Sequence, residues 1–331
     1  MGSGQARPFQ PRIGGVLLQS QASGRRSGTT TIITPIYGTS LAYFEECAAS
    51  VASACRCDAG GLLDEWVVVS DGDTRDLEAV LAELTCGLDL RCTFLDLGRR
   101  AGLSEARNEG VNVSSSTYIT WLDADDVLIP EGFVSFLSLA TRILEGSYDA
   151  LMVISDNVES DAALSPMFVR RKDWVVEAHR ARRGARGDPL LCIDFVYQAQ
   201  LIRRTDFDAV GGYSADRIGE DVDLVLRLFE ANPDRCIYHV PEIAYNYRAN
   251  PEGIVATRRA ELRAQNALDY SRVQRLFWDQ HSDCTHTVTW ICPDCEEPHL
   301  VPVDQGRSQP FFNCFVPEGW ADRIKHLVRE C

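Results

Sequence analysis

The residues of this chain that can do chemistry fall into a few tight clusters. Asp123, Asp125 and Asp126 lie within four positions in the run ITWLDADD. Carboxylates this close repel one another and ionise together only at a cost, unless a cation sits among them. Hard oxygen ligands on a short turn suit Mg²⁺ or Mn²⁺ shared with the phosphates of a substrate. A second acidic cluster, Glu220-Asp221 with Asp223 nearby, opens an apolar stretch of helical spacing. Acids are favoured at a helix start in any case, and a carboxylate placed there can also serve as a general base toward a hydroxyl. A third acidic position, the single Asp71, directly follows the β-like run EWVVVS. The fourth cluster is of another kind. Of twelve cysteines, seven are scattered singly, while Cys284, Cys292, Cys295, Cys314 and Cys331 crowd the last fifty residues beside His281, His286 and His299. Cys292-Pro-Asp-Cys295 has the spacing of a zinc knuckle but supplies only two ligands. Cys284 and His286, or Cys314 with His281 or His299, are candidates for the others. A closed thiolate site of that kind is structural.

The elements that must position these groups alternate. Thr29–Pro35 reads as a buried strand, Ser40–Cys55 as a helix and Glu65–Ser70 as a strand broken by Asp71-Gly72-Asp73. Thr74 can cap a helix reaching Thr85, Arg91–Leu97 reads as a strand and Leu103–Val113 as a helix. Tyr118–Leu122 is a strand that stops at Asp123, Pro130 opens a helix, Tyr148–Ile154 is a strand and Val222–Glu230 a helix. Strands alternating with helices predict a parallel, doubly wound sheet, in which ligands bind beyond the carboxyl ends of strands. Asp71 and the 123–126 cluster both stand at such ends.

Composition removes other classes. The chain has 331 residues, 45% hydrophobic and 24% charged, which is globular and not disordered. Its net charge of −15 argues against a nucleic-acid binder, because phosphate backbones repel an acidic surface. No apolar run approaches the ~18 residues of a membrane span. Residues 1–28 hold four arginines, no acid and no apolar signal region, and read as a disordered leader. The expected setting is the cytoplasm, with reduced thiols.

Six segments in order resemble the family 2 glycosyltransferases of the GT-A fold. They are TIITPIYGTS at 31–40, VVVSDG at 67–72, GLSEARNEG at 102–110, ITWLDADD at 119–126, GGYSADRIGEDVDLVLRL at 211–228 and AYNYR at 244–248. The resemblance implies an α/β, Rossmann-like and mostly parallel sheet flanked by helices. It also implies inverting transfer from a nucleotide-diphosphate sugar by a hexosyltransferase type of enzyme. Carried over residue by residue, it assigns Thr34, Pro35 and Tyr37 to the base pocket, Asp71 to a hydrogen bond from the base, and Arg107 to support of that pocket. Asp123 would face the ribose and the metal shell, Asp125 would ligate Mn²⁺ or Mg²⁺, and Arg248 would face the diphosphate. Asp221 would deprotonate the acceptor hydroxyl, with Glu220 orienting groups beside it. The Asp71 type of contact suits a uracil imide, hence a UDP-sugar. Ser70 and Asp73 depart from the family's usual strand ending, and Asn250 stands where a histidine is common. The Gln-x-x-Arg-Trp signature of processive synthases is missing, which favours transfer of a single sugar.

The expected organisation is a leader over 1–28, a GT-A domain over 29–255, and over 256–331 a helix with a zinc-ribbon-like module. Residues 170–187 hold seven Arg or Lys against two acids, and read either as a solvated loop or as a lid or docking patch for an anionic acceptor. A carrier-bound or peptide acceptor is equally compatible. Two other readings compete. One is a catalytically degenerate scaffold binding a protein through its zinc tail; the intact acid pairs argue against it. The other is a nucleotidyltransferase, but residues 35–45 lack the basic phosphate loop such an enzyme needs.

Overall fold

The computed structural model describes residues 28–73, 77–146, 150–170, 172, 200–215, 219–232, 235–258, 261, 287–291, 298–302 and 315–317. Strands β1 (Thr30–Ile36), β2 (Leu63–Ser70), β3 (Arg91–Asp96) and β4 (Tyr118–Trp121) are parallel, in the spatial order β3-β2-β1-β4. Their β-branched and apolar runs are buried on both faces, as a parallel sheet requires. Side chains alternate between two cores. Ile33, Val67, Val69, Ile119 and Trp121 face one, under helices α3 (Leu103–Val113) and α6 (Glu220–Ala231). Ile32, Trp66, Val68 and Leu122 face the other, under α1 (Leu41–Cys57), α2 (Leu77–Thr85) and α4 (Pro130–Gly146). Ser40 caps α1, its hydroxyl accepting from Tyr43 N at 3.2 Å. Gly110 lets α3 lie close on the sheet: a Cβ there would come within 2.6 Å of Ile33 Cγ2.

Past β4 the sheet changes character. Strand β8 (Gln200–Arg203), followed by the short α5 (Arg204–Ala209), inserts antiparallel between β4 and β6 (Ala150–Ser160). Strand β9 (Cys236–Arg248) runs parallel to β6, and β5 (Val127–Leu128) and β7 (Pro166–Arg170) pair antiparallel with β9 and β6. The expectation of a mostly parallel sheet is therefore corrected: four strand pairs are parallel and four antiparallel. Local periodicity reports that a strand exists and not which neighbour it finds, so the insertion of β8 left no mark in the sequence. After β9 come α7 (Ile254–Thr257) and a three-stranded antiparallel sheet of β10 (Thr287–Ile291), β11 (Pro298–Pro302) and β12 (Phe315–Pro317). The candidate zinc ligands Cys284, Cys292, Cys295, Cys314, His281 and His286, and most of the basic stretch 170–187, lie outside the described residues. Among the described residues no helix is long and apolar enough to cross a membrane.

Candidate active site

The carboxyl ends of β1, β2, β3 and β4 carry the loops where the sequence concentrates its acids. At the end of β2, Asp71 is buried and its carboxylate accepts from the backbone N–H of Ala101 and, at 3.0 Å, of Gly102. Gly72 makes this approach feasible. Its φ is +77°, and a Cβ would meet the backbone of Arg99 at 2.6 Å and of Arg100 at 2.7 Å. Asp71 thus clamps the loop that opens α3. Just past β1, Tyr37 is 49% exposed, with the Arg100 guanidinium 4.3 Å above its ring. Thr34 and Pro35 are buried inside β1, and the Thr34 hydroxyl accepts from Trp66 Nε1 at 3.0 Å. Of the three residues expected to line the base pocket, Tyr37 alone presents its side chain.

The acidic turn after β4 separates into three roles. Asp126 is buried, its carboxylate taken by the Tyr245 hydroxyl and by the backbone N–H of Arg248 at 2.6 Å. Burial first, and then Asp125 and Asp123, push its carboxyl well above the usual range. It is a structural acid. Asp125 accepts from Asn250 Nδ2 at 2.7 Å; burial pushes its carboxyl up, and the Asn250 hydrogen bond opposes that. Asp123 faces the cleft, its side chain 43% exposed.

Across the cleft stands the start of α6. Arg107, on α3 and nearly buried, donates from Nη2 to Asp123 at 2.8 Å and from Nη1 to Glu220 at 2.7 Å. One planar fork therefore joins the acidic turn to the Glu220-Asp221 pair, residues far apart in sequence. Burial alone would lower the guanidinium's pKa; Asp123, Tyr213 and Glu220 outweigh it and hold the group charged. Asp221, beside Glu220, has its carboxyl pushed up to about 7, by burial first and then by Glu220, against the pull of Arg107. The helix is aimed from below. Asn108 grips the Tyr213 backbone through N at 2.8 Å and O at 2.9 Å, and Asp223 accepts from Ser214 and, at 2.8 Å, from Arg227. A carboxylate with a pKa near neutrality is equipped to take a proton from a bound hydroxyl.

The model for the family described as "Glycosyl transferase family 2" matches residues 31–211, more than half of the chain. The chain belongs to that family. Its structural neighbours include TarS 1–349 of S. aureus in complex with UDP-GlcNAc. That pair shares a TM-score of 0.53 and 15% identity, over 76% of this chain and 72% of that one. Another is a mannosyltransferase from Pyrobaculum calidifontis in complex with GDP-Man and Mn²⁺, with TM-score 0.56 and 15% identity, over 76% and 65% of the two chains. At these identities the likeness shows the GT-A fold. Among curated sequences, the O-antigen biosynthesis protein RfbC of Myxococcus xanthus is 26% identical over 66% of this chain. The glycosyltransferase GlyG of Streptococcus pneumoniae is 24% identical over 44%. The chain spans 16% of the length of RfbC and 46% of GlyG.

For this family 2 glycosyltransferase the structure gathers Asp71, Tyr37, Arg107, Asp123, Asp125, Glu220 and Asp221 at the carboxyl edge of the sheet. Two of the expected site residues turn inward: the Thr34 hydroxyl accepts from Trp66 inside the fold, and Arg248 lies beneath the acidic turn, 2% exposed. Sequence reasoning missed Tyr245 and Asn250 as partners of the turn's acids. It also missed both carboxylates that Arg107 holds, Asp123 and Glu220, since nothing local to Arg107 announces partners on the acidic turn or on α6.

Proposed function

We propose that the chain transfers a single sugar from a nucleotide-diphosphate sugar, with inversion, to an acceptor hydroxyl. UDP-sugars are favoured as donors. The observation that carries this reading is the Arg107 bridge, which makes the acidic turn and the Glu220-Asp221 pair two walls of one cleft. Tyr37 and Asp71 serve the nucleotide base. Asp71 is acceptor-only when ionised, which suits an imide N–H such as that of uracil. Asp123 and Asp125 fit a hard divalent ion, Mn²⁺ or Mg²⁺: both offer carboxylate oxygen on a short turn, and burial makes Asp125 costly to ionise until a cation compensates. Such an ion would neutralise charge on the leaving diphosphate. Asp221 accepts the proton of the attacking hydroxyl as its oxygen bonds the anomeric carbon and the bond to the diphosphate breaks. Attack from the face opposite the leaving group inverts the anomeric centre. Glu220, held by Arg107, keeps Asp221 aimed.

The catalytic unit is assigned to residues 29–255, with 256–331 a separate module in which the clustered Cys and His hold structural zinc. The free thiols Cys47, Cys55, Cys57, Cys86 and Cys92 suit a reducing cytoplasm. The test is to incubate the protein with Mn²⁺ and a panel of nucleotide-sugars and measure nucleoside diphosphate release with water as acceptor. Slow release from one donor, lost in EDTA and in Asp125→Ala, is expected. No release and no thermal shift with any donor would overturn the proposal.

A further inference from the structure

Arg248 closes β9, and its side chain is 1% exposed. Every nitrogen of the guanidinium is engaged by a different part of the fold. Nε donates to the Asp125 carbonyl at 2.6 Å, Nη1 to the Ala162 carbonyl at 2.6 Å, and Nη2 pairs with Glu46. The ring of Tyr43 lies 4.0 Å beneath it. Tyr43 and Glu46 are three residues apart on α1 and so share one face of that helix. Ala162 belongs to the turn joining β6 to β7. The backbone of Arg248 adds a bond from N to Asp126 Oδ1 at 2.6 Å, and Asn250, two residues on, holds Asp125 Oδ2.

A cation contacting a diphosphate needs free donors pointing into the cleft. Here all three nitrogens are spent within the fold, one of them on the backbone of the acidic turn, and freeing them would leave the carbonyls of Asp125 and Ala162 without this donor. We infer that Arg248 is a positioning residue. It fixes the peptide at Asp125, and with it the direction of the Asp125 carboxylate, by tying the turn to α1 and to the β6–β7 connection, and it makes no contact with the diphosphate. The inference rests on the proposed cation role of Asp125. A lysine cannot replace the arginine, since a single ammonium cannot span three acceptors in the plane of a fork. Groups that orient a metal ligand without touching the metal change its affinity by about 10–100-fold when altered.

The test uses the full chain and two probes, Mn²⁺ alone followed by electron paramagnetic resonance, and UDP affinity by calorimetry in EDTA and in Mn²⁺. Arg248→Lys is expected to weaken Mn²⁺ binding, and the gain in UDP affinity that Mn²⁺ confers, about tenfold. UDP affinity in EDTA should stay within about twofold of the wild type. Because a buried arginine variant can fail to fold, Glu46→Gln and Tyr43→Leu test the same device from α1; each should reproduce the pattern in the same direction, by less than the arginine variant. An equal loss of UDP affinity in EDTA would mean that the guanidinium meets the phosphates, and would overturn the inference. So would wild-type Mn²⁺ binding in Arg248→Lys or, if that variant does not fold, in both α1 variants. If the wild type binds UDP with no Mn²⁺ gain at all, the cation reading of the turn falls first and takes this inference with it.

Discussion

Replacing Arg107 by methionine removes the fork and keeps most of the side-chain volume. Its two partners are unequal. The Glu220 side chain is 10% exposed and would be left as an unpaired buried carboxylate, whereas Asp123, 43% exposed, would be rescued by water. Breaking a buried ion pair by deleting one partner costs about 3–5 kcal/mol, and losing an exposed pair about 0–1 kcal/mol. The sum is about 4 kcal/mol, and at ~2–4 °C per kcal/mol for a domain of this size the unfolding midpoint falls by roughly 10 °C. Urea unfolding measures the loss directly. Most of the penalty is a stranded charge, so adding Glu220→Gln should recover more than half of it. Arg107→Lys, which keeps one charge but no fork, should cost less than the methionine. The variant should also lose turnover, since Glu220 no longer has a fixed place beside Asp221. A cost below ~1 kcal/mol for Arg107→Met, or no recovery in the double variant, would refute the claim that this guanidinium holds the cleft together.

Other outcomes follow from the same geometry. The Asp221 carboxyl sits at about 7 in the folded protein against ~3.9 in an unfolded chain, so folding favours its protonated form. Its ionisation therefore costs nothing below about pH 4, a growing amount as pH rises to 7 and a constant amount above. Asp221→Asn should then be more heat-stable than the wild type at pH 8 and no different at pH 4; equal melting at pH 8 would contradict the assignment. The acid limb of wild-type donor turnover should have its midpoint near pH 7, and a limb near pH 4 would contradict it. Gly72→Ala, forced to φ +77° against the Arg99–Arg100 backbone, should lose about 1–3 kcal/mol and weaken nucleotide binding by displacing the loop that Asp71 holds. Wild-type UDP affinity in that variant would show that the loop takes no part in the base site.

What the sequence made legible was local. The run TTIITPI became β1, the helix over 103–113 fell where its spacing put it, and Pro130 opened α4. Each of these rests on periodicity or on a start signal that neighbouring residues carry. The strand endings also put Asp71 and the 123–126 cluster just past the carboxyl ends of β2 and β4. What stayed hidden depends on partners far along the chain. The entry of β8 between β4 and β6 is such a case, as is the sharing of Arg107 between Asp123 and Glu220. The inward turn of Arg248 toward Glu46 is another. An arginine before a loop reads alike whether its fork faces a ligand or a carbonyl. Only the packed fold distinguishes the two.

The central claim is that Asp221 is the base of a transferase cleft whose nucleotide site lies elsewhere. It is tested most directly by comparing turnover in Asp221→Asn with the wild type, at saturating donor and Mn²⁺, alongside nucleotide affinity. The account predicts turnover lower by about 10²–10⁴-fold with nucleotide affinity unchanged. Turnover at the wild-type rate would contradict it.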